Sequence, residues 1–175
     1  MNIRHSELSM PVLVLGIGNL FMGDDGIGAR VIHRLQQEQL RMPGVRVVDG
    51  GTIGLGLLGL LDGVERLIIV DAVKCGSTPG TIVRLAGEQV QRCIKTKLSV
   101  AEAGLSDLLA AAEPSGRLPH EIVLLGMEPA VLEAGEHLSR EVASQFEILV
   151  DPVLAELTRI ADVERDKTWA LVEIQ

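Results

Sequence analysis

The stretch Leu67-Ile68-Ile69-Val70-Asp71-Ala72 decides how this chain folds: four apolar residues in a row, too few for a helix, end on a carboxylate. Short unbroken apolar runs of this kind are strands covered on both faces, as in a parallel sheet between helices. A carboxylate at that depth must be paired, hydrogen-bonded or bound to a metal. A second strand end repeats the arrangement, since Val14-Leu15-Gly16-Ile17-Gly18-Asn19 runs into Gly23-Asp24-Asp25-Gly26. In a parallel α/β sheet the residues just past the carboxyl ends of the strands converge on one crevice, where ligands bind. Asp25 and Asp71 are therefore candidates to share a cation, a proton or a hydrolytic site. Asp24 and Asp25 also suit the start of a helix, where carboxylates satisfy unpaired N–H groups. Asp49, closing a second strand as Asp49-Gly50-Gly51, is a further candidate base for the crevice, and the same tripeptide also reads as a plain turn. Gly50 and Gly51 would let a substrate backbone approach closely.

Outward from these two strand ends the pattern alternates. Pro11 to Gly16 is strand one, and a helix opening at Asp24 or Asp25 carries Ile27, Val31 and Leu35 on one face before stopping near Pro43-Gly44. Val45 to Val48 is strand two, Leu55 to Leu61 a compact apolar helix, and Arg66 to Val70 strand three. Thr81 to Leu85, after the turn Thr78-Pro79-Gly80, follows too closely for a helical crossover and is expected to be antiparallel or at an edge. Ser99-Val100-Ala101-Glu102 has the form of a capping box and opens a helix with Leu105, Leu108, Leu109 and Ala112 on one face. Glu121 to Gly126 is the fifth strand. A helix from Ser139 to about Val150 is expected to restart or kink at Asp151-Pro152, which reads as an N-cap followed by a first-turn proline. The order predicts one three-layer α/β domain over residues 1–175, a mostly parallel five-stranded sheet with helices on both faces, with 1–9 and about 164–175 as loose ends.

Composition agrees and excludes several functions. Hydrophobic residues make up 47% of the 175, aromatic ones only 2%, which describes an aliphatic core. A formal charge of −8 argues against nucleic acid, whose phosphates need a basic footprint. The longest apolar runs fall far short of the ~20 residues that a membrane span requires. No apolar secretory stretch follows Met1, and Cys75 and Cys93 are not in a C-x-x-C pair. Free thiols in a reducing, cytoplasmic compartment are expected. Gly16-x-Gly18 fails the dinucleotide fingerprint, because Phe21 occupies the third glycine position. No phosphate-binding P-loop and no G-x-S-x-G elbow is present, and His5, His33, His120 and His137 are scattered. His33 is expected at the surface, and His120 at the end of the fifth strand away from the crevice.

Taken in order, several blocks resemble the maturation endopeptidases of nickel–iron hydrogenases. They are Gly16-Ile17-Gly18-Asn19 with Gly23-Asp24-Asp25-Gly26, then Val48-Asp49-Gly50-Gly51-Thr52, Ile69-Val70-Asp71-Ala72 and Pro79-Gly80-Thr81. Lys97-Leu98-Ser99, Leu118-Pro119, Ile122-Val123-Leu124-Leu125-Gly126 and Met127-Glu128-Pro129-Ala130 complete the set. The resemblance implies a cytoplasmic, metal-recognising aspartic-type endopeptidase with a twisted five-stranded sheet flanked by helices. Its partner is the hydrogenase large-subunit precursor, from which it removes a C-terminal peptide once nickel has been loaded. The nickel arrives with the substrate, and no tightly bound metal is expected in the free protein.

The resemblance further implies that an acidic residue after the first strand, an Asp after the third and a histidine at the start of a helix hold that nickel. The first two carry over onto Asp25 and Asp71, whereas the histidine position falls on Ala101. A methyl group ligates nothing, and the donor best suited to nickel is lost. A catalytically impaired variant, or a binder of the precursor that does not cut it, is the alternative. A small-molecule hydrolase on a similar sheet is a further rival.

Overall fold

The structure, a computed structural model, describes residues 11–38, 42–96 and 100–172. The apolar runs become strands β1 (Val12–Ile17), β2 (Val45–Gly51), β3 (Arg66–Ala72), β4 (Ile82–Ala86) and β5 (Glu121–Met127), joined in the order β2-β1-β3-β5-β4. β1 pairs in parallel with β2 and β3, and β3 with β5; β4 is antiparallel to β5 and forms an edge. Both options left open for β4 hold at once, because a short connection from β3 cannot return the chain for a parallel pairing. β1 and β3 are buried along their whole lengths, as unbroken apolar runs in a central parallel pair should be.

Alternation along the strands divides the core into two layers. Val12, Val14, Ile68, Val70, Val123 and Leu125 face α1 (Ile27–Gln37) and the long final helix. Leu13, Leu15, Ile17, Leu67, Ile69 and Leu124 face the opposite way. There they meet a 3₁₀ segment at Gly54–Leu61, α2 (Glu88–Thr96) and α3 (Val100–Ala112). This is the expected three-layer sandwich.

Several boundaries differ from the sequence reading. The first helix opens as a 3₁₀ turn, Gly23–Gly26, and α1 ends at Gln37, before the Pro43-Gly44 pair. The Leu55 to Leu61 segment is 3₁₀ rather than α, since Gly54, Gly56 and Gly59 offset the helix propensity of its leucines. Helix α2 was not anticipated, although Val90 and Ile94, four residues apart, are its buried stripe. The capping-box residue Ser99 lies outside the described residues. β2, β3 and β5 run past their expected ends because their neighbours continue the ladder, with Asp71 opposite Gly126 and Ala72 opposite Met127. Asp49 and Asp71 are thus paired residues near the ends of their strands rather than loop residues.

Helix α4 (Arg140–Val172) is not restarted at Asp151-Pro152 but passes through Pro152. Leu149, Val150, Val153, Leu157 and Ile160 form one buried stripe on either side of it. Their burial outweighs one missing backbone hydrogen bond, which costs ~3 kcal/mol in a helix interior. The stretch 164–172, expected to be loose, continues this helix. Glu156 ties α4 to the sheet, accepting from Arg84 Nε and Nη2 at 3.1 and 3.2 Å and from Arg159 Nε at 3.0 Å. Burial pushes its carboxyl pKa up, but these guanidinium bonds more than offset that and leave it below the usual carboxylate range. Among the described residues no helix is long and apolar enough to cross a membrane.

Candidate active site

The carboxyl ends of β1 and β3 lie side by side, with Gly16 opposite Val70. Gly28 brings the start of α1 down onto them. A methyl group at that position would sit 2.3 Å from both the Ile17 and the Val70 carbonyl oxygens. Only glycine permits so close an approach. Three residues earlier, the 3₁₀ turn that carries Asp25 packs against β3. Gly18 makes the matching room on the other side, at φ +124°, since a Cβ there would fall 1.8 Å from the Asp25 carbonyl oxygen. The G-x-G and D-D-G blocks are therefore two halves of one tight turn.

Asp25 is 9% exposed and accepts the Asn19 N–H on Oδ2 at 2.7 Å. Asn19 in turn accepts the Phe21 N–H on its side chain at 3.0 Å, which folds the loop between β1 and the turn. Asp71, 1% exposed, is the penultimate residue of β3 beside Val70 and so borders the same turn. By alternation its side chain shares a face with Leu67 and Ile69, the face covered by α3. The first turns of α3 also reach this rim, as Gly54, just past β2, packs within 2.9 Å (Cβ position to Cα) of Gly104. Asp25, Asp71 and the helix end that holds Ala101 thus border one edge of the sheet. Two carboxylates held that far from water are suited to gripping a cation or a proton.

Asp49 does not join them. It shares the α1 side of β2 with Val45 and Val47, opposite in sense to Asp71. Its Oδ2 lies 2.8 Å from His33 Nε2, and its Oδ1 accepts the Gly51 N–H at 3.0 Å. Asp49-Gly50-Gly51 is the end of β2 rather than a turn, and the expected base is engaged elsewhere. His33, expected only as a surface residue, is its partner. Among the described residues no group of three or more His, Cys, Asp or Glu side chains is placed to hold a metal ion. Asp25 and Asp71 are two buried carboxylates at this edge.

Two acidic residues of this edge were not singled out as parts of the site. Asp24 is fully buried, and rather than serving its own helix it reaches the β5–α4 connection. It accepts the N–H groups of Ala130 and Val131 on Oδ2, each at 2.8 Å, and of Ser139 on Oδ1 at 2.7 Å. Glu128, just past β5, accepts the Cys75 and Ser77 N–H groups at 2.8 and 3.1 Å and the Cys75 thiol at 3.0 Å. Burial raises the Glu128 pKa, but these donors together more than offset it and hold the carboxyl below its ordinary range. The signal for Glu128 was available, because it ends an apolar run just as Asp71 does. Nothing local marks Asp24, whose partners are over a hundred residues away. Of the histidines, His120 lies before β5, at the far edge, as expected, and His137 is exposed in the β5–α4 connection.

Four of the five large apolar side chains exposed among the described residues, Phe21, Ile53, Leu55 and Val131, stand on connections leaving the carboxyl ends of β1, β2 and β5. The rim around Asp25 and Asp71 is therefore apolar, on a chain of net charge −8.

An open, mostly parallel five-stranded α/β domain with two buried aspartates near the carboxyl ends of its central strands defines the class. The structure matches the hydrogenase maturating endopeptidase HybD from E. coli with a TM-score of 0.80 and 37% identity, covering 86% of this chain and 93% of that one. It matches the [NiFe] hydrogenase maturation protease HybD from Thermococcus kodakarensis with a TM-score of 0.70 and 30% identity, covering 85% and 99%. In sequence it is 38% identical over 148 residues to the hydrogenase expression/formation protein HupD of Rhodobacter capsulatus, covering 83% of this chain and 70% of that protein. The hydrogenase 2 maturation protease of E. coli K12 is 37% identical over 149 residues, covering 85% and 91%. The family model HycI, hydrogenase maturation protease, matches residues 29–156. The chain belongs to the hydrogenase maturation protease family.

Proposed function

We propose that this chain is an endopeptidase that removes the C-terminal extension of a nickel-loaded hydrogenase large-subunit precursor, with Asp25 and Asp71 reading the metal that the precursor carries. The observation that supports this reading is that the turn bearing the buried Asp25 packs against β3, the strand near whose end the buried Asp71 lies. Oxygen donors suit a cation already partly held by the precursor's own ligands, and that cation orients the scissile bond and polarises its carbonyl or a water. One of the two carboxylates is then within the same desolvated rim to accept the water's proton as the peptide bond opens. Asp49 is left out of this chemistry, because both its oxygens are committed to His33 and Gly51. The apolar rim favours a folded protein partner over a small molecule, since exposed aromatic and aliphatic side chains around a polar site are typical of interface cores.

Ala101 supports a second reading. A methyl at the position where the family places an imidazole weakens the grip on nickel, and the chain then retains the precursor and cuts it slowly or not at all. Incubating nickel-loaded precursor with the protein and following the peptide by mass spectrometry tests both. Release of the peptide, accelerated by Ala101→His and lost in Asp71→Asn, supports the endopeptidase. A stable complex with no shortening, cured by Ala101→His, identifies the binder. Turnover of small esters or phosphates with no precursor present would overturn both.

A further inference from the structure

We propose that Asp24 and Glu128 are positioning residues, and that the β5–α4 connection they hold is a brace setting the placement of Asp25 relative to Asp71. The inference rests on the proposed roles of those two aspartates. Each end of the brace is bolted to one of the segments that carry them. At one end, Glu128 is 6% exposed and gathers the Cys75 and Ser77 N–H groups, so it fixes the chain just beyond Asp71. Two backbone bonds reinforce it: Glu128 N–H donates to Thr81 O at 2.8 Å, and Val73 N–H to Met127 O at 2.9 Å. At the other end, Asp24 immediately precedes Asp25 and gathers the Ala130, Val131 and Ser139 N–H groups. Here too the backbone reinforces it. Asp24 N–H donates to Val131 O at 2.9 Å, Gly23 N–H to Gly135 O at 2.9 Å, and Gly135 N–H to Phe21 O at 2.9 Å.

A carboxylate this buried is a costly way to fasten a loop whose tip, at Val131, is exposed. Backbone pairing alone would leave a surface connection free to breathe. Two desolvated carboxylates, each taking three donors, instead hold two separate strand ends to one segment, which is what a site made from those two ends requires.

Amide hydrogen exchange on the full chain tests this without any hydrogenase. The Asn19 amide, whose acceptor is Asp25 Oδ2, reports on Asp25, and the Val73 amide reports on the backbone just past Asp71. In Asp24→Asn, exchange at Ala130, Val131 and Asn19 is expected to accelerate by roughly 10- to 100-fold, while the core amide of Ile68 is unchanged. In Glu128→Gln the same is expected at Cys75, Ser77 and Val73. Loosened loops with Asn19 and Val73 still protected would reduce both residues to simple fasteners and overturn the proposal. Should Asp24→Asn fail to fold, Ala130→Pro removes one donor from an exposed position and carries the same test. In an Ala101→His background with nickel-loaded precursor, each variant is expected to weaken retention of the precursor and to slow its cleavage; loosened Asn19 or Val73 amides with retention and cleavage both unchanged would overturn it too. Exchange as expected, with no cleavage by any version of the chain, would instead sink the endopeptidase reading and leave the brace standing.

Discussion

Gly28→Ala turns the close approach of α1 to the sheet into a measurable quantity. Position 28 is helical and has an ordinary φ, so helix propensity alone makes the change stabilising by about 0.5–1 kcal/mol. The packing argues the opposite. The new methyl would lie 2.3 Å from two carbonyl oxygens and 2.8 Å from the Ile17 nitrogen, all of them backbone atoms of the central strands. Ordinary contact begins at 3.4 Å, so α1 must withdraw by roughly an ångström or the strands must part. Overpacking of this kind costs about 1–3 kcal/mol and sometimes more, which outweighs the propensity gain. For a chain of this length 1 kcal/mol moves Tm by about 2–4 °C, so a fall of roughly 3–10 °C is expected by calorimetry. The same withdrawal carries Asp25 away from Asp71, and misplacement on that scale costs about 100-fold in reactivity. Retention of nickel-loaded precursor should therefore weaken even at temperatures where the variant is fully folded. A higher Tm with unchanged retention would show that Gly28 is not what seats the helix, and the geometry of the crevice would need another cause.

Other outcomes follow from the same contacts. Asp71→Asn should leave the far-ultraviolet circular dichroism spectrum unchanged while lowering affinity for nickel-loaded precursor by ~100-fold or more, the scale of removing one partner from a desolvated charge pair. Phe21→Asp, at a position 66% exposed on the rim, should raise KM by about 10-fold with kcat and Tm little changed, as read by steady-state cleavage in an Ala101→His background. Glu156 has its folded pKa held below the ordinary 4.5, so its stabilisation is present above that value and is lost as pH falls beneath it through the folded pKa. Glu156→Gln should accordingly lower Tm at pH 7 by the equivalent of about 1–3 kcal/mol and flatten the decline of Tm below pH 4.5, measured by thermal melts across pH.

The sheet was legible because its signals are local. Leu67 to Val70 cannot be anything but a covered strand, and the short path from β3 to β4 forbids a parallel return. Helix α2 was missed because only Val90 and Ile94 mark its buried face within a polar stretch. Pro152 misled for a related reason: a local rule about proline was overridden by packing on both sides of it. Asp25 and Asp71 stand out in the sequence because each follows an apolar strand, and topology then places both at the carboxyl edge. Asp49 obeys the same rule, yet its position in the strand directs it to the other face, toward His33; one residue of register separates a candidate base from a surface pair. Asp24 was legible only as a helix-start carboxylate, because its three donors belong to a connection that nothing in its own neighbourhood announces.

The claim at the centre is that Asp25 and Asp71 act on one shared ion. A double-mutant cycle of Asp25→Asn and Asp71→Asn, read as affinity for nickel-loaded precursor, tests it most directly. If both grip the same cation, the second substitution costs far less than it does alone, with a coupling above about 1 kcal/mol. Losses that add to within about 0.5 kcal/mol would mean two independent carboxylates and would contradict the claim.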